Sequence, residues 1–325
     1  PFDRDGASGV RQFFIDNVSE TEDAQEITAH VPTYLPPNLV SLTGTTLENI
    51  MLARSSDQAG KLFTYEYFFS SEGQVQSAWG TWTFDAANSI HFTAFFDNVC
   101  YIITERSDGF HLERMRMRPD LVDTGLDYFT ALDHRVSGIT GTYDAFNNRT
   151  DFTLPYVPPA DITAFTLQNT GVHAPGVALV PANISGTTVS LSGNVANYAV
   201  VFGVPYKQEV TFSRPYYMQP SQNGLVANTR AVLKLKDFAV DYAETGYFQM
   251  TFAPRYRDGY TKTFTGNVLG STPTDSKPLD DGDFLIKTPT RNKYWGLTLT
   301  NDSPFPCTLL AASWRGLVES KSQRV

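Results

Sequence analysis

Apolar and polar residues alternate along most of this chain in short runs, and the period is two. Lys61–Phe69, Val75–Phe84, Ser89–Phe96, Val99–Glu105 and His111–Arg118 are rich in aromatic or β-branched residues. That period places successive side chains on opposite faces of an extended backbone, so each run predicts a strand. Ser71-Glu72-Gly73 and Ser107-Asp108-Gly109 separate neighbouring runs with the residues that tight turns require. Strands recurring about every 8–12 residues suit propeller blades, barrels or sandwiches. No strict sequence repeat accompanies them, so periodicity does not single out the propeller. One stretch departs from the pattern. Ser19 and Glu22 have capping-box spacing, acidic residues fill the first turn, and Ile27 and Val31 fall four apart before Pro32. A short helix is predicted there, near Glu20–Ala29.

Pro155-Tyr156-Val157-Pro158-Pro159 interrupts the alternation, because proline cannot donate to a ladder and marks a connector. Beyond it the strands become small and rich in Ser, Thr, Gly and Val: Ile162–Leu167, Gly176–Val180, Thr188–Ser192 and Tyr198–Phe202. A third group comprises Glu209–Arg214, Arg230–Tyr242, Tyr247–Ala253, Lys262–Val268, Asp283–Lys287, Tyr294–Thr300 and Cys307–Gly316. Turns are predicted at Arg257-Asp258-Gly259 and Asp280-Asp281-Gly282. The division read from the sequence is residues 1–154, a β-rich region; 155–208, a β insert; and 209–325, a C-terminal β region of sandwich or barrel type. The fold class is all-β with very little helix.

Composition supports that reading. The 325 residues are 41% apolar, 13% aromatic and 18% charged, where an ordinary soluble chain has about 25% charged. Disorder, collagen and coiled coil are excluded as descriptions of the whole chain. No uncharged apolar run approaches the ~18 residues of a membrane-spanning helix, so membrane insertion is not expected. Opening at Pro1 without a secretory pattern, the chain reads as a fragment or a processed product. Net charge is −9 but unevenly spread: residues 1–150 hold 21 Asp/Glu against 10 Lys/Arg, and residues 151–325 hold 13 against 15. An acidic first half repels phosphates, which argues against tight binding of nucleic acid. Cys100 and Cys307 are too few for a disulfide framework, and Cys100 sits in the apolar run 99–103 as a small hydrophobe.

Signatures of catalysis are sparse. His30, His91, His111, His134 and His173 are scattered, and HExxH, paired CxxC, phosphate-loop and GxSxG motifs are absent. A glycosidase needs only two carboxylates close in space, a requirement that sequence cannot test. No catalytic, cofactor or metal residue is assigned. Asp280, Asp281 and Asp283 around Gly282 read either as an Asp-Gly turn or as oxygen ligands for calcium, and the missing EF-hand pattern favours the turn. Arg114, Arg116 and Arg118 share one strand face, opposite Met115 and Met117. The stripe is either a basic surface for an acidic partner, another subunit included, or for DNA, or a solvated face above core methionines, and the solvated face is favoured over nucleic acid. Trp79, Trp82, Trp295 and Trp314 fit core packing better than sugar platforms. Full burial of Trp314 in the last β layer implies a loss of about 3–5 kcal/mol on truncation to Ala.

Several segments carry a more specific signal. Ile27-Thr28-Ala29-His30-Val31-Pro32-Thr33-Tyr34-Leu35-Pro36 and Thr46-Leu47-Glu48-Asn49 resemble the tail tubular protein B family, the tail nozzle proteins of short-tailed bacteriophages (podoviruses). Lys61-Leu62-Phe63-Thr64-Tyr65-Glu66-Tyr67, Val75-Gln76-Ser77-Ala78-Trp79-Gly80-Thr81-Trp82, Leu112-Glu113-Arg114-Met115 and Leu132-Asp133-His134-Arg135-Val136 look like that family's next segments. The similarity resumes at Val210-Thr211-Phe212-Ser213, Leu233-Lys234-Leu235 and Tyr242-Ala243-Glu244-Thr245-Gly246-Tyr247-Phe248. It ends with Ser313-Trp314-Arg315-Gly316 and Ser320-Lys321-Ser322-Gln323-Arg324-Val325. The order of matches is that of the family's C-terminal portion, and residues 161–206 resemble it least.

That resemblance implies a non-enzymatic virion component with a β-propeller-like platform in residues 1–154. It implies a hexameric ring of identical chains that closes and conducts the DNA-ejection channel. The implied partners are a tail adaptor resembling tail tubular protein A, tail fibres, and genomic DNA in transit without tight binding. The location it implies is the virion tail, assembled in the host bacterial cytoplasm. No cofactor is implied. Two other classes stand beside it: a tail-associated polysaccharide depolymerase or receptor-binding adhesin, and a secreted carbohydrate-binding β domain.

Overall fold

The alternating runs are extended strands in the computed structural model. It describes residues 1–325 apart from 17–20, 71–72, 85–88, 117–121, 124–125, 127, 171–172, 174, 222–223, 230, 267–278 and 320–325. The described residues form twenty-eight strands and two single-turn 3-10 segments, Ser56–Gln58 and Asn292–Tyr294. They contain no helix long and apolar enough to cross a membrane. The molecule is all-β, and among the described residues no sheet closes on itself. It divides into two compact units, Pro1–Pro119 and Asp120–Val325.

The first unit opens with two hairpins, β1 (Phe2–Arg4) with β2 (Ala7–Gly9), and β3 (Arg11–Asp16) with β4 (Thr21–Glu26). A four-stranded antiparallel meander follows: β5 (Leu39–Thr45), β6 (Ile50–Ser55), β7 (Lys61–Ser70) and β8 (Gly73–Thr83). A three-stranded meander completes it: β9 (Ser89–Phe96), β10 (Val99–Arg106) and β11 (Gly109–Arg116). Alternation explains how these layers stack. Ala53, Phe63 and Tyr65 face Val10, Ile27 and Leu35 on one side of the four-stranded sheet. Ile50, Leu52 and Leu62 face Ile90, Cys100 and Ile102 of the three-stranded sheet on the other. Thr43 Oγ1 donates to the Thr93 carbonyl at 3.1 Å across that second seam.

The helix expected near Glu20–Ala29 is not present. Thr21–Glu26 is a strand paired with β3, and Ser19 and Glu20 lie outside the described residues. Ile27 donates its amide to Val10 O at 3.0 Å, and consecutive turns close through Val31 N to Thr28 O and Tyr34 N to Val31 O. A capping box is worth about 1 kcal/mol, which a ladder and a buried Ile27 outweigh.

The second unit begins with β12 (Asp133–Ser137), β13 (Thr142–Asp144), β14 (Arg149–Thr153), β15 (Thr163–Thr166), β16 (Ala178–Leu179), β17 (Asn183–Ser185), β18 (Thr188–Ser192) and β19 (Val200–Val204). It continues through β20 (Gln208–Thr211), β21 (Tyr217–Ser221), β22 (Gly224–Asn228), β23 (Val232–Thr245) and β24 (Tyr247–Phe252). Then come β25 (Tyr260–Thr265), β26 (Asp280–Arg291), β27 (Leu297–Asn301) and β28 (Thr308–Glu319). Sheets of order β12-β19-β15-β16 and β13-β14-β18-β17 share a core built from Phe152, Val189, Leu191, Ile162, Ala164 and Phe202. Sheets of order β20-β27-β24-β25 and β26-β23-β28 share a second core. Phe248, Met250, Leu297 and Leu299 come from one of these sheets, and Phe238, Val240, Phe284 and Ile286 from the other. Each pair is thus a two-sheet sandwich.

The connector Pro155–Pro159 runs between β14 and β15, within the first sandwich. Strands of 163–204 pair with strands of 133–153, and the compact units divide at Pro119. Prolines report where ladder hydrogen bonds stop, not which strands share a core. Asp280-Asp281-Gly282, expected as a turn, is the extended beginning of β26. Its register against β23 shifts between Tyr242 and Thr245, and Asp281 Oδ1 accepts the Glu244 amide at 2.6 Å there.

Candidate functional site

The three-stranded sheet of the first unit has two faces of opposite fate. Along β10, Cys100, Ile102 and Thr104 are buried, while Val99, Tyr101, Ile103 and Glu105 are not. Antiparallel register carries the same split to both neighbours. Phe96 and Arg116 flank Val99, Ala94 and Arg114 flank Tyr101, and Phe92 and Leu112 flank Ile103. The far face is therefore apolar and open: Phe92 is 53% exposed, Phe96 73%, Phe110 67% and Leu112 73%. Exposed apolar patches of this extent mark interaction surfaces on soluble proteins.

Local chemistry fixes the sheet that carries this face. Asp97 (φ 46°) and Asn98 (φ 62°) both adopt the left-handed conformation of a two-residue hairpin turn. Asn98 Nδ2 donates to Glu48 Oε1 at 2.6 Å, which ties that turn to the one between β5 and β6. A register shift between Ile103 and Thr104 brings His91 beside Glu105, Nε2 to Oε2 at 2.8 Å. The imidazole also meets the Phe110 ring edge-on, at 5.4 Å between centroids. On the covered face Met115 packs into the core, and burial pushes the Cys100 thiol up to about 11. Arg106 and Glu113 form an ion pair, and Glu113 also accepts from Thr104 Oγ1 at 2.9 Å.

The arginine stripe is thus placed in part. Arg114 and Arg116 are exposed at one end of the apolar face, whereas Arg118 and Met117 lie outside the described residues. Sequence reasoning singled out the arginines but missed the four apolar side chains beside them. The apolar side chains were visible but not their faces: Ile90, Phe92, Ala94 and Phe96 share one parity, and the register shift opposite Ile103 and Thr104 sends Ile90 to the covered face while Phe92, Ala94 and Phe96 stay on the open one.

Other candidates resolve into structure. Trp79 donates to Ile27 O at 3.0 Å and Trp295 to Phe212 O at 3.2 Å, while Trp82 and Trp314 pack against cores. Trp314 is half-buried on the edge strand β28, so the loss expected from full burial is too large for it. Asp280 accepts from Tyr242 Oη at 3.3 Å and Asp281 braces the Glu244 amide. Among the described residues no group of three His, Cys, Asp or Glu side chains is gathered as metal ligands. Burial raises the Tyr242 phenol to about 12, with Asp280 contributing. On β23, Asp237 accepts from Nε and Nη2 of Arg315, each at 2.8 Å, with Lys287 at 3.5 Å, and these bonds hold its carboxyl below the usual range. An open groove of about 380 Å3 is lined by Gln25, Glu26, His30, Tyr65 and Gln74 among others, with Glu26 as the one carboxylate among the described residues lining it.

Tail tubular protein gp12 of Escherichia phage T7 is 22% identical over 326 residues, which cover 94% of this chain. The same match covers 40% of that protein, so the chain spans well under half the length of this curated relative. The description "Bacteriophage nozzle protein" matches residues 1–325 from end to end, and the chain belongs to that family.

Proposed function

We propose that this chain is a structural part of the tail nozzle of a short-tailed bacteriophage, acting in a hexameric ring around the DNA-ejection channel. The observation that carries this reading is the family match over residues 1–325. The ring sits below a tail adaptor resembling tail tubular protein A, carries tail fibres, and passes the genome without holding it. The protein is a structural component of the virion tail rather than an enzyme, and it assembles in the host cytoplasm. The propeller-like platform assigned to residues 1–154 draws support from the successive up-and-down meanders β5–β8 and β9–β11. An acid excess in residues 1–150, 21 Asp/Glu against 10 Lys/Arg, suits a channel wall that repels phosphate.

The depolymerase and adhesin reading has no comparable support. Glycoside hydrolysis uses two facing carboxylates, and the groove beside Tyr65 offers Glu26, which is already engaged by Thr28 Oγ1 at 3.0 Å. The test of the nozzle reading is the tail itself. Quantitative mass spectrometry of purified virions, with antibody labelling under the electron microscope, should find the chain at the tail in sixfold stoichiometry. Its absence from purified virions overturns the reading.

A further inference from the structure

From the geometry of β9–β11 we infer that its exposed face is the docking site for a second copy of this chain, through a heterologous contact. This rests on the ring reading above and gives that ring one of its subunit surfaces. Phe92, Phe96, Phe110 and Leu112 form the centre of the contact, and Arg114 and Arg116 form its charged end.

Three observations carry it. The first is area. At roughly 200 Å² per aromatic side chain, the exposed fractions of these four residues amount to about 500 Å² of apolar surface. That lies at the upper end of what monomers leave open, and it is more than half of the ~800 Å² that each partner contributes to a standard interface. The second is charge. Residues 1–119 hold 16 Asp/Glu against 8 Lys/Arg, and the whole chain carries −9. Arg114 and Arg116 stand exposed at the edge of the patch, with no ion pair to a described residue. Residues 120–325 are nearly balanced, 18 Asp/Glu against 17 Lys/Arg, so the acid excess lies in the first unit, and the first unit of another copy is the electrostatically complementary partner for these two arginines. The third is the pattern of burial. β9 is apolar on both faces, and the covered face is matched to β6 and β7 by Ile50, Leu52 and Leu62. The open face has the composition of a buried one, and no layer of described residues lies over it.

Closure decides the mode. An isologous contact consumes the same patch on both copies and stops at a dimer, whereas a heterologous contact leaves each copy one patch and one receiving surface, and propagates around a ring. The receiving surface is an acidic one, away from β9–β11.

The test compares the native chain with Phe96→Asp/Leu112→Asp and with Arg114→Glu/Arg116→Glu by mass photometry and light scattering. All four positions are exposed, so the variants should keep the native circular dichroism and melting temperature. The native chain is expected to form species larger than a dimer. The first variant should be monomeric, and the second should associate about tenfold more weakly at low salt, with the deficit shrinking as salt rises. Native assemblies that both variants leave intact overturn the assigned face while the ring reading stands. A closed dimer overturns the heterologous mode. A native chain that stays monomeric at every concentration overturns the self-docking proposal, and the virion stoichiometry then judges the ring reading separately.

Discussion

The seam of the β23–β28 sandwich makes a quantitative prediction at Phe248. Its side chain is fully buried, and its ring centroid lies 4.9 Å from Phe264, 5.0 Å from Phe284 and 5.7 Å from Tyr242. Phe248 and Phe264 belong to the sheet of β24 and β25, and Tyr242 and Phe284 to the facing sheet. Removing the ring therefore opens a gap between two layers, not within one. Burying about 200 Å² at ~25 cal/mol per Å² contributes about 5 kcal/mol, and residual burial in the denatured chain lowers this to about 3–4 kcal/mol. The cavity left behind restores part of that difference, since the seam is held by strands on both sides. Phe248→Ala should cost about 4 kcal/mol, a large share of the ~5–15 kcal/mol of a typical domain. Phe248→Leu, which keeps most of the volume, should cost about 1.5 kcal/mol. Phe110→Ala, on the open face of the other unit, should change stability by less than about 0.5 kcal/mol. Urea unfolding followed by tryptophan fluorescence reads the difference, because Trp295 and Trp314 pack against this core. A Phe248→Ala loss below about 1.5 kcal/mol, or one equal to that of Phe110→Ala, would refute the sandwich seam.

Three further outcomes are expected. Because Arg315 and Lys287 lower the folded-state pKa of Asp237, its contribution is present above the unfolded value of about 3.9 and is lost as pH falls through the lower folded value. Melting temperatures of the native chain and Asp237→Asn should therefore differ at pH 6 and converge in acid, and a gap that persists unchanged to pH 2 would sink the assignment. Burial raises the thiols of Cys100 and Cys307 to about 11, so neither should react readily with a thiol reagent at neutral pH until the chain is unfolded, and stoichiometric labelling of the native protein would contradict this. Trp314→Ala should cost about 1–2.5 kcal/mol, less than a fully buried ring, because one side of β28 is a free sheet edge; a loss above 4 kcal/mol would show the ring to be enclosed.

The amino-acid sequence by itself determined the all-β class and the positions of many strands. Ser89–Phe96 and Thr188–Ser192 were legible to the residue, and the turn at Ser107-Asp108-Gly109 fell where Gly109 takes φ 124°. Period-two alternation and turn chemistry act within a few residues, so they survive without knowledge of the partner strands. The match to the nozzle family was legible too, because it rests on residues in order along the chain. Tertiary structure decided what local pattern leaves degenerate. Thr21–Glu26 had helix signals, and pairing with Arg11–Asp16 made it a strand. Asp280-Asp281-Gly282 had the composition of a turn, and the ladder to β23 extended it. Residues 155–208 read as an insert, yet their strands pair with those of 133–153. Above all, Ile90, Phe92 and Phe96 share one parity in the sequence, and only the register shift against β10, together with packing on β6 and β7, shows that Ile90 is covered while Phe92 and Phe96 are open. Which face of a sheet is buried depends on strands distant in sequence, and that non-local choice created the candidate interface.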